Sequence, residues 1–401
     1  MKFKDYPLHP SILKAIQELG YKRPTDIQFK VIPHILNGED VMAVAPTGTG
    51  KTAAFAIPIL HKIQGFSKKS GVQALVMVPT RELARQIEQV FLDLSKHLSL
   101  NILSLIGGVE QDSQIKKLKE NTQVLITTPG RMFDLIAQGY LDISTVKMWV
   151  LDEADLMLDL GFARDIVDAK RKLPRYLQTL FFTATINKKI KSLAYDVVKD
   201  AIRIQITPGN PVSKNVDHQV MMVEMDDKRF FLENILTEYP EERFMVFVRT
   251  KIRAERVQKA MERIGLTVVM LHGGKEQSER FTTLERFRSG ENKVLITTDV
   301  ACRGIDIPEV DYVINYDLPD NPENYVHRCG RTGRGNRRGQ ALSFCSAGEL
   351  EILEAIEQYT GNEVERYEIG ATDYTEILRD QLDPDENWIK LMKENDTENW
   401  D

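Results

Sequence analysis

At 401 residues, with 42% hydrophobic and 28% charged side chains, the chain exceeds what one hydrophobic core supports and suits two domains of an ordinary soluble protein. No secretory leader opens it and no apolar run approaches the roughly 18 residues of a membrane span, so a cytoplasmic location is expected and membrane partners are excluded. The formal charge of −6 is uneven: residues 348–401 carry 17 Asp and Glu against 4 Lys and Arg, leaving 49 basic against 42 acidic residues before them and a mildly basic body that tolerates a polyanion. Cys302, Cys329 and Cys345 lack zinc-ligand spacing and read as reduced thiols.

Short Val/Ile/Leu-rich runs alternate with charged helical stretches, the pattern of a parallel sheet covered on both faces. In the first half the strand runs are Val41 to Ala45, Ala74 to Val78, Ile102 to Ile106, Val124 to Thr127, Met148 to Leu151 and Thr179 to Phe182. Thr80 is expected to cap the helix from Arg81 to Phe91, and Thr128 the one that Pro129 opens. Turn formers from Thr207 to Ser213 mark a linker over 207–216, separating domains at 1–206 and 217–371. The second half offers Gln219 to Val223, Met245 to Val248, Val268 to Leu271, Val294 to Thr297, Tyr312 to Asn315 and Ala341 to Phe344, followed by an acidic tail over 372–401.

The two halves repeat one another. Val76-Met77-Val78-Pro79-Thr80-Arg81 aligns with Val246-Phe247-Val248-Arg249-Thr250-Lys251, and Val124-Leu125-Ile126-Thr127-Thr128 recurs unchanged from Val294, both at an offset of 170 residues. Between them Gly107-Gly108 matches Gly273-Gly274 at an offset of 166. Matches in the same order at nearly one separation indicate two copies of one α/β unit.

Only the first copy carries a phosphate loop. Ala45-Pro46-Thr47-Gly48-Thr49-Gly50-Lys51-Thr52 lies between a strand and a helix-compatible run, so its amides and the helix start can enclose phosphates. Lys51 would hold the β- and γ-phosphates and Thr52 a magnesium ion. Asp152, at the end of a later strand, would complete the metal site through water, and Glu153 beside it can orient and deprotonate the attacking water. The second copy instead holds His327-Arg328-Cys329-Gly330-Arg331-Thr332-Gly333-Arg334, whose glycines would let guanidinium groups approach a neighbouring surface. Such arginines can complete a phosphoryl-transfer site held by the other domain.

This ordered series resembles the DEAD-box RNA helicases of helicase superfamily 2. The resemblance covers residues 3–346: Phe3, Gly20 to Gln28, Ala45 to Thr52, Pro79 to Ala84, Gly107-Gly108, Thr128 to Arg131, Asp152-Glu153-Ala154-Asp155, Thr183-Ala184-Thr185, Val246 to Thr250, Gln277 with Arg280, Thr297 to Asp306 and His327 to Arg334. It implies two tandem RecA-like domains and an ATP-dependent RNA helicase using ATP and Mg2+. Gln28 would then pair with adenine, Phe3 would cover the base, Tyr21 would belong to the same nucleotide-binding segment, and Thr47, Gly48, Thr49, Gly50, Lys51 and Thr52 would hold the phosphates. Asp306 would meet the ribose, with Arg331 and Arg334 at the γ-phosphate. Pro79, Thr80, Arg81, Gly108, Thr128, Pro129, Gly130 and Arg131 would contact RNA, and Arg249, Thr250, Gly273 and Thr297 would extend that track. Because helix starts offer amides and guanidinium groups rather than base-reading side chains, the expected contacts go to the RNA backbone and tolerate any sequence. Glu82, Asp155, Thr183, Thr185, Gln277 and His327 would couple the two activities.

Thr183 stands where the family usually has serine, and Arg249 adds a positive charge where an uncharged residue is common. ATP and single-stranded RNA are expected to close the domains jointly and locally release one strand of a short duplex, after which hydrolysis reopens them. An ATP-gated RNA clamp that holds partners is the alternative function. The motif series begins at Phe3, so no N-terminal targeting domain is expected, and the chain is expected to act as a monomer. Its acidic tail, with Trp388 and Trp400 among charges, reads as a solvated extension, a docking segment for a protein partner or a mimic of RNA.

Overall fold

The computed structural model describes residues 1–65, 71–206, 215–302, 305, 307, 310–333, 338–368 and 370–379. Most of the expected linker, with Asp306 and Arg334, lies outside these residues. The chain divides into two compact units, one built on Met1–Gly209 and the other on Asn210–Lys275, Glu279–Cys302 and Ile307–Asp401.

The first unit holds β1 (Val41–Val44), β2 (Ala74–Met77), β3 (Ile102–Leu105), β4 (Val124–Thr127), β5 (Met148–Leu151), β6 (Gln178–Thr183) and β7 (Ile202–Gln205). They form one sheet in the order β3-β4-β2-β5-β6-β1-β7, with every neighbouring pair parallel. All residues of β1, β2, β4, β5 and β6 are buried, which is why these segments read as continuous apolar runs rather than as an alternation.

The second unit holds β8 (Val216–Met222), β9 (Phe244–Phe247), β10 (Val268–Leu271), β11 (Val294–Thr297), β12 (Tyr312–Asn315), β13 (Gly339–Cys345) and β14 (Glu365–Tyr367). Its order is β10-β11-β9-β12-β13-β8-β14, the first order again with each strand replaced by its counterpart. Register repeats too. Val124 stands opposite Ala74 in the first sheet and Val294 opposite Phe244 in the second, each pair displaced by the same 170 residues.

The strand runs read from sequence are found with small shifts, and the exceptions have a common cause. Edge strands β7 and β14 gain main-chain bonds from one neighbour only. Arg203 and Gln205 of β7 are exposed, as is all of β14, so neither shows an apolar run. Strands β8 and β13 pair over seven residues and extend past their apolar segments through polar residues with partners, such as Gln340, whose Nε2 donates to Asp217 Oδ2 at 3.1 Å.

Residues 371–379, most of them placed in the tail by sequence, instead form a helix on the second unit, Ala371–Arg379. The Tyr374 ring lies 4.8 Å from that of Phe231, and its hydroxyl donates to Asp227 Oδ2 at 2.8 Å while accepting from Glu224 N at 3.1 Å. Tyr374 with its two polar partners, and Ile377 packed on the same core, anchor a stretch too charged to signal burial. Among the described residues no helix is long and apolar enough to cross a membrane.

Candidate functional site

The phosphate loop follows β1. Ala45 N donates to Thr183 O at 3.0 Å, Thr49 Oγ1 donates to Pro46 O at 2.8 Å, and the Lys51–Gly65 helix then begins. Gly50 has φ +91°, and a Cβ there would lie 2.5 Å from Gln28 Nε2, so only glycine fits. Gln28 belongs to the first turn of the Asp26–Asn37 helix, where its Oε1 accepts from Thr25 N at 3.0 Å and its Nε2 donates to Gly50 O at 3.1 Å. The residue expected to read adenine is therefore also the strut that holds the loop. Phe3 is buried in a short 3-10 turn, its ring 6.4 Å from that of Tyr21.

Asp152 and Glu153 follow β5. Asp152 is 2% exposed and its Oδ1 accepts from Glu153 N at 3.0 Å. Glu153 has φ 51° and ψ 50°, a left-handed backbone that costs a non-glycine residue about 1–3 kcal/mol and is characteristic of functional sites. Its Oε1 lies 3.1 Å from Lys51 Nζ, which also donates to Ala45 O at 3.1 Å. Burial acts to discharge Lys51, but the charges of Glu153, Asp152 and Asp155 outweigh it and raise its pKa. Burial, then the charge of Glu153, push Asp152 up to about 7, with Lys51 pulling the other way.

These groups fit a magnesium nucleoside triphosphate. The glycines and helix start suit phosphate oxygens, Lys51 is a cation already held between the Glu153 carboxylate and the Ala45 carbonyl, and Thr52 with Asp152 supplies the sparse hard-oxygen set that suits magnesium keeping several waters. Because the folded pKa of Asp152 exceeds the ordinary 3.8, its ionisation removes stability from the ligand-free protein as pH rises from about 4 to 7. Binding of a magnesium nucleotide at Asp152 would reverse that preference by requiring the carboxylate. Affinity for a fluorescent nucleotide with magnesium is expected to fall about tenfold per pH unit below 7 and to level off above it. A flat profile between pH 6 and 8 would reject the assignment of Asp152.

Asp155 connects this loop to the end of β6. Its Oδ2 accepts from Ala184 N at 3.1 Å, Thr185 N at 3.0 Å and Thr185 Oγ1 at 3.1 Å, while Oδ1 accepts from Leu156 N at 3.0 Å. Thr183 Oγ1 donates to Thr185 O at 2.9 Å, and its side chain is fully buried. The carboxylate thus does more than cap a helix. Asp155→Ala strands three amides and the Thr185 hydroxyl and is expected to cost about 2–4 kcal/mol, read as a lower denaturant midpoint. Asp155→Asn, which keeps one acceptor, should recover part of it.

The remaining first-unit candidates gather at the other half of the same sheet edge. Pro79-Thr80-Arg81 follows β2, Gly107-Gly108 follows β3, and Thr128 to Arg131 follows β4. Thr80 Oγ1 accepts from Leu83 N at 3.3 Å, as expected of a cap. Thr128 occupies the cap position of its helix without a side-chain cap bond, and Pro129 fills the first turn. A Cβ on Gly108 would run into the Arg81 guanidinium, so that cation rests against the glycine pair. Arg131 donates to Gln111 Oε1 at 2.9 Å and Val109 O at 3.2 Å, joining the β3 and β4 loops. Glu82 directly follows Arg81 in the Arg81–Ser95 helix.

The second unit repeats this arrangement without a phosphate loop. Arg249-Thr250, Gly273 and Thr297 stand at the ends of β9, β10 and β11. Thr250 Oγ1 accepts from Arg253 N at 3.2 Å, mirroring Thr80. Arg249 is already engaged: it donates to Leu318 O at 3.1 Å and lies 3.4 Å from both Glu349 and Asp320, so a phosphate would have to compete with carboxylates. Gln277 opens the Gln277–Arg288 helix, and His327 lies in the Pro322–Cys329 helix.

Sequence reasoning overlooked Arg328. It is 1% exposed, donates through Nε and Nη2 to the two oxygens of Asp299 at 2.6 and 2.8 Å, and through Nη1 to Asn315 Oδ1 and Asp317 O. This fork ties the arginine-bearing segment to the loop after β11. Arg331 Nη2 donates to Cys302 O at 3.3 Å. Gly333 of this segment also serves packing: it has φ +66°, and a Cβ there would sit 2.5 Å from Val216.

Comparison with known proteins accounts for this division. Residues 25–193 match the DEAD/DEAH box helicase family and residues 227–336 the helicase conserved C-terminal domain. The ATP-dependent RNA helicase RhlB of Shewanella oneidensis is 38% identical over 370 residues, which cover 90% of this chain and 84% of that protein. The ATP-dependent RNA helicase DeaD of Mycobacterium tuberculosis is 42% identical over 359 residues, and this chain spans 63% of its length. Among solved structures, S. cerevisiae Dbp5 bound to RNA and ADP BeF3 is similar with a TM-score of 0.83 and 32% identity, covering 94% of this chain and 97% of that one. The DEAD-box helicase Mss116 bound to ssRNA and UDP-BeF is similar with a TM-score of 0.84 and 28% identity, covering 96% and 83%. Two RecA-like units, one with the phosphate loop and acidic run and one with the buried arginine cluster, together with these relatives, place the chain in the DEAD-box RNA helicases.

Proposed function

We propose that this chain is an RNA-stimulated ATPase that separates short RNA duplexes or remodels RNA–protein complexes. The observation that carries this reading is the partition of one sheet edge: phosphate and metal groups follow β1 and β5, with the turn after β6 bonded to Asp155, while glycine, helix-start and guanidinium groups follow β2, β3 and β4. Asp155, bonded across the loops after β5 and β6, lies on the nucleotide side of that division.

In this reading Lys51 and the loop amides hold the β- and γ-phosphates, with Thr52 and Asp152 retaining magnesium, which supplies charge neutralisation at the phosphate oxygens. Glu153 accepts the proton of the attacking water once Lys51 turns from it to phosphate. Arg331 and Arg334 supply positive charge to the γ-phosphate. RNA binds through its backbone along Thr80, Arg81, Gly108 and Thr128 to Arg131, then along Thr250, Gly273 and Thr297, without reading sequence. Gln277 and His327 act as coupling residues. DNA stacking of about 1.4 kcal/mol per step serves as a guide to the cost, so one cycle disrupts only a few pairs. The protein acts as a monomer in the cytoplasm, in keeping with three buried free thiols.

The test is ATP turnover with single-stranded RNA, with DNA of the same sequence and with neither. RNA is expected to stimulate turnover severalfold and DNA to fail. Equal rates under all three conditions would discard the proposal.

A further inference from the structure

The second unit carries a basic groove that includes Thr250 of the proposed RNA track but whose arginines and lysine the nucleotide and RNA assignments leave unused. It encloses about 460 Å³ between the Lys228–Glu238 and Lys251–Arg263 helices. Arg229, Arg253, Arg256, Lys259 and Arg263 line it, against one carboxylate, Asp226, with Val257, Ala260 and Tyr316 adding apolar surface. Arg253 is paired with Asp317 at 3.2 Å, and Arg229 lies over the Phe230 ring at 4.2 Å. Arg256, Lys259 and Arg263 have no hydrogen-bond or carboxylate partner among the described residues. Their spacing of three and four residues puts them on one face of the helix. Adjacent like charges repel, and a groove that gathers them favours an anionic occupant.

We propose that this occupant is the acidic segment of the same chain, residues 380–401. Three observations favour it. The Ala371–Arg379 helix is anchored by Tyr374 to Glu224 and Asp227, in the turn that contributes Met225 and Asp226 to the groove and leads into the helix bearing Arg229. The segment therefore starts beside the groove, and its 22 residues reach at most roughly 80 Å, so the tether does not limit docking. Its composition is complementary: eight carboxylates against Lys390 and Lys393, surrounding the apolar stretch Trp388-Ile389 and Leu391-Met392. Tethering holds it at a high effective concentration, which makes modest charge and apolar contacts sufficient.

The segment carries Trp388 and Trp400, and the third tryptophan of the chain, Trp149, is fully buried in the first unit. Tryptophan quenching by acrylamide in the full chain therefore reports docking directly, independently of ATP or RNA. At low ionic strength the R256E/R263E variant, altered only at exposed positions, is expected to be quenched at least about twofold more steeply than the parent, because reversed charges repel the segment. High salt should bring the parent to the variant's value. Equal quenching in parent and variant at low salt, with unchanged melting temperature, would overturn the proposal. So would a variant that loses single-stranded RNA affinity while its quenching stays at the parent value, since the groove would then belong to RNA.

Discussion

Glu153→Gln is expected to lower RNA-stimulated ATP turnover by about 10²–10⁴-fold, the contribution of a positioned general base. The substitution keeps the side chain's size while removing the group able to accept a proton. It also removes the carboxylate that lies 3.1 Å from Lys51, so nucleotide affinity should be retained or improved as the lysine is freed for phosphate. Chemistry should fail after binding, and the variant should accumulate as a complex with ATP and RNA. Single-turnover hydrolysis with retention of labelled RNA on a filter measures both halves of this expectation. Turnover like the parent's would discard Glu153 as the base.

The two neighbouring arginines of the second unit should behave in opposite ways. Arg331→Ala is expected to reduce turnover by about 10³-fold or more, as for arginines that stabilise a transferring phosphoryl group, with a smaller fall in melting temperature than Arg328→Ala. Lysine should not rescue it, because an ammonium cannot reproduce the planar fork. Arg328→Ala instead breaks a buried bidentate pair and leaves Asp299 without its partner, a loss of about 3–5 kcal/mol in stability. Urea denaturation alongside ATP turnover separates the two roles. If Arg331→Ala unfolds as readily as Arg328→Ala, or hydrolyses ATP at the parent rate, the transition-state role of Arg331 is wrong.

Much of the architecture was legible because it is written in local pattern. Parallel strands covered on both faces need apolar side chains in every position, so β1, β2, β4 and β5 appear as unbroken runs, and a second copy at an offset of 170 residues announces a second sheet. The phosphate loop and Asp152-Glu153 are equally local, since a loop, a helix start and a strand end each depend on adjacent residues. Edge strands β7 and β14 escaped because main-chain pairing with one neighbour leaves little trace in side-chain chemistry. The helix around Tyr374 escaped because its acidic composition matches that of the segment after it.

By itself, then, the amino-acid order determined two α/β units, a triphosphate loop in the first, and which residue types stand at each strand end. What only tertiary structure decided is how side chains from distant segments divide the work. Folding gives Asp155 to the Thr183–Thr185 turn, Gln28 to the phosphate loop, Arg328 to a buried carboxylate and Arg249 to Glu349. An arginine's role depends on which acceptors lie within about 3 Å, and chain folding over 29 to 100 residues sets that distance for Arg328 and Arg249, where no local pattern can.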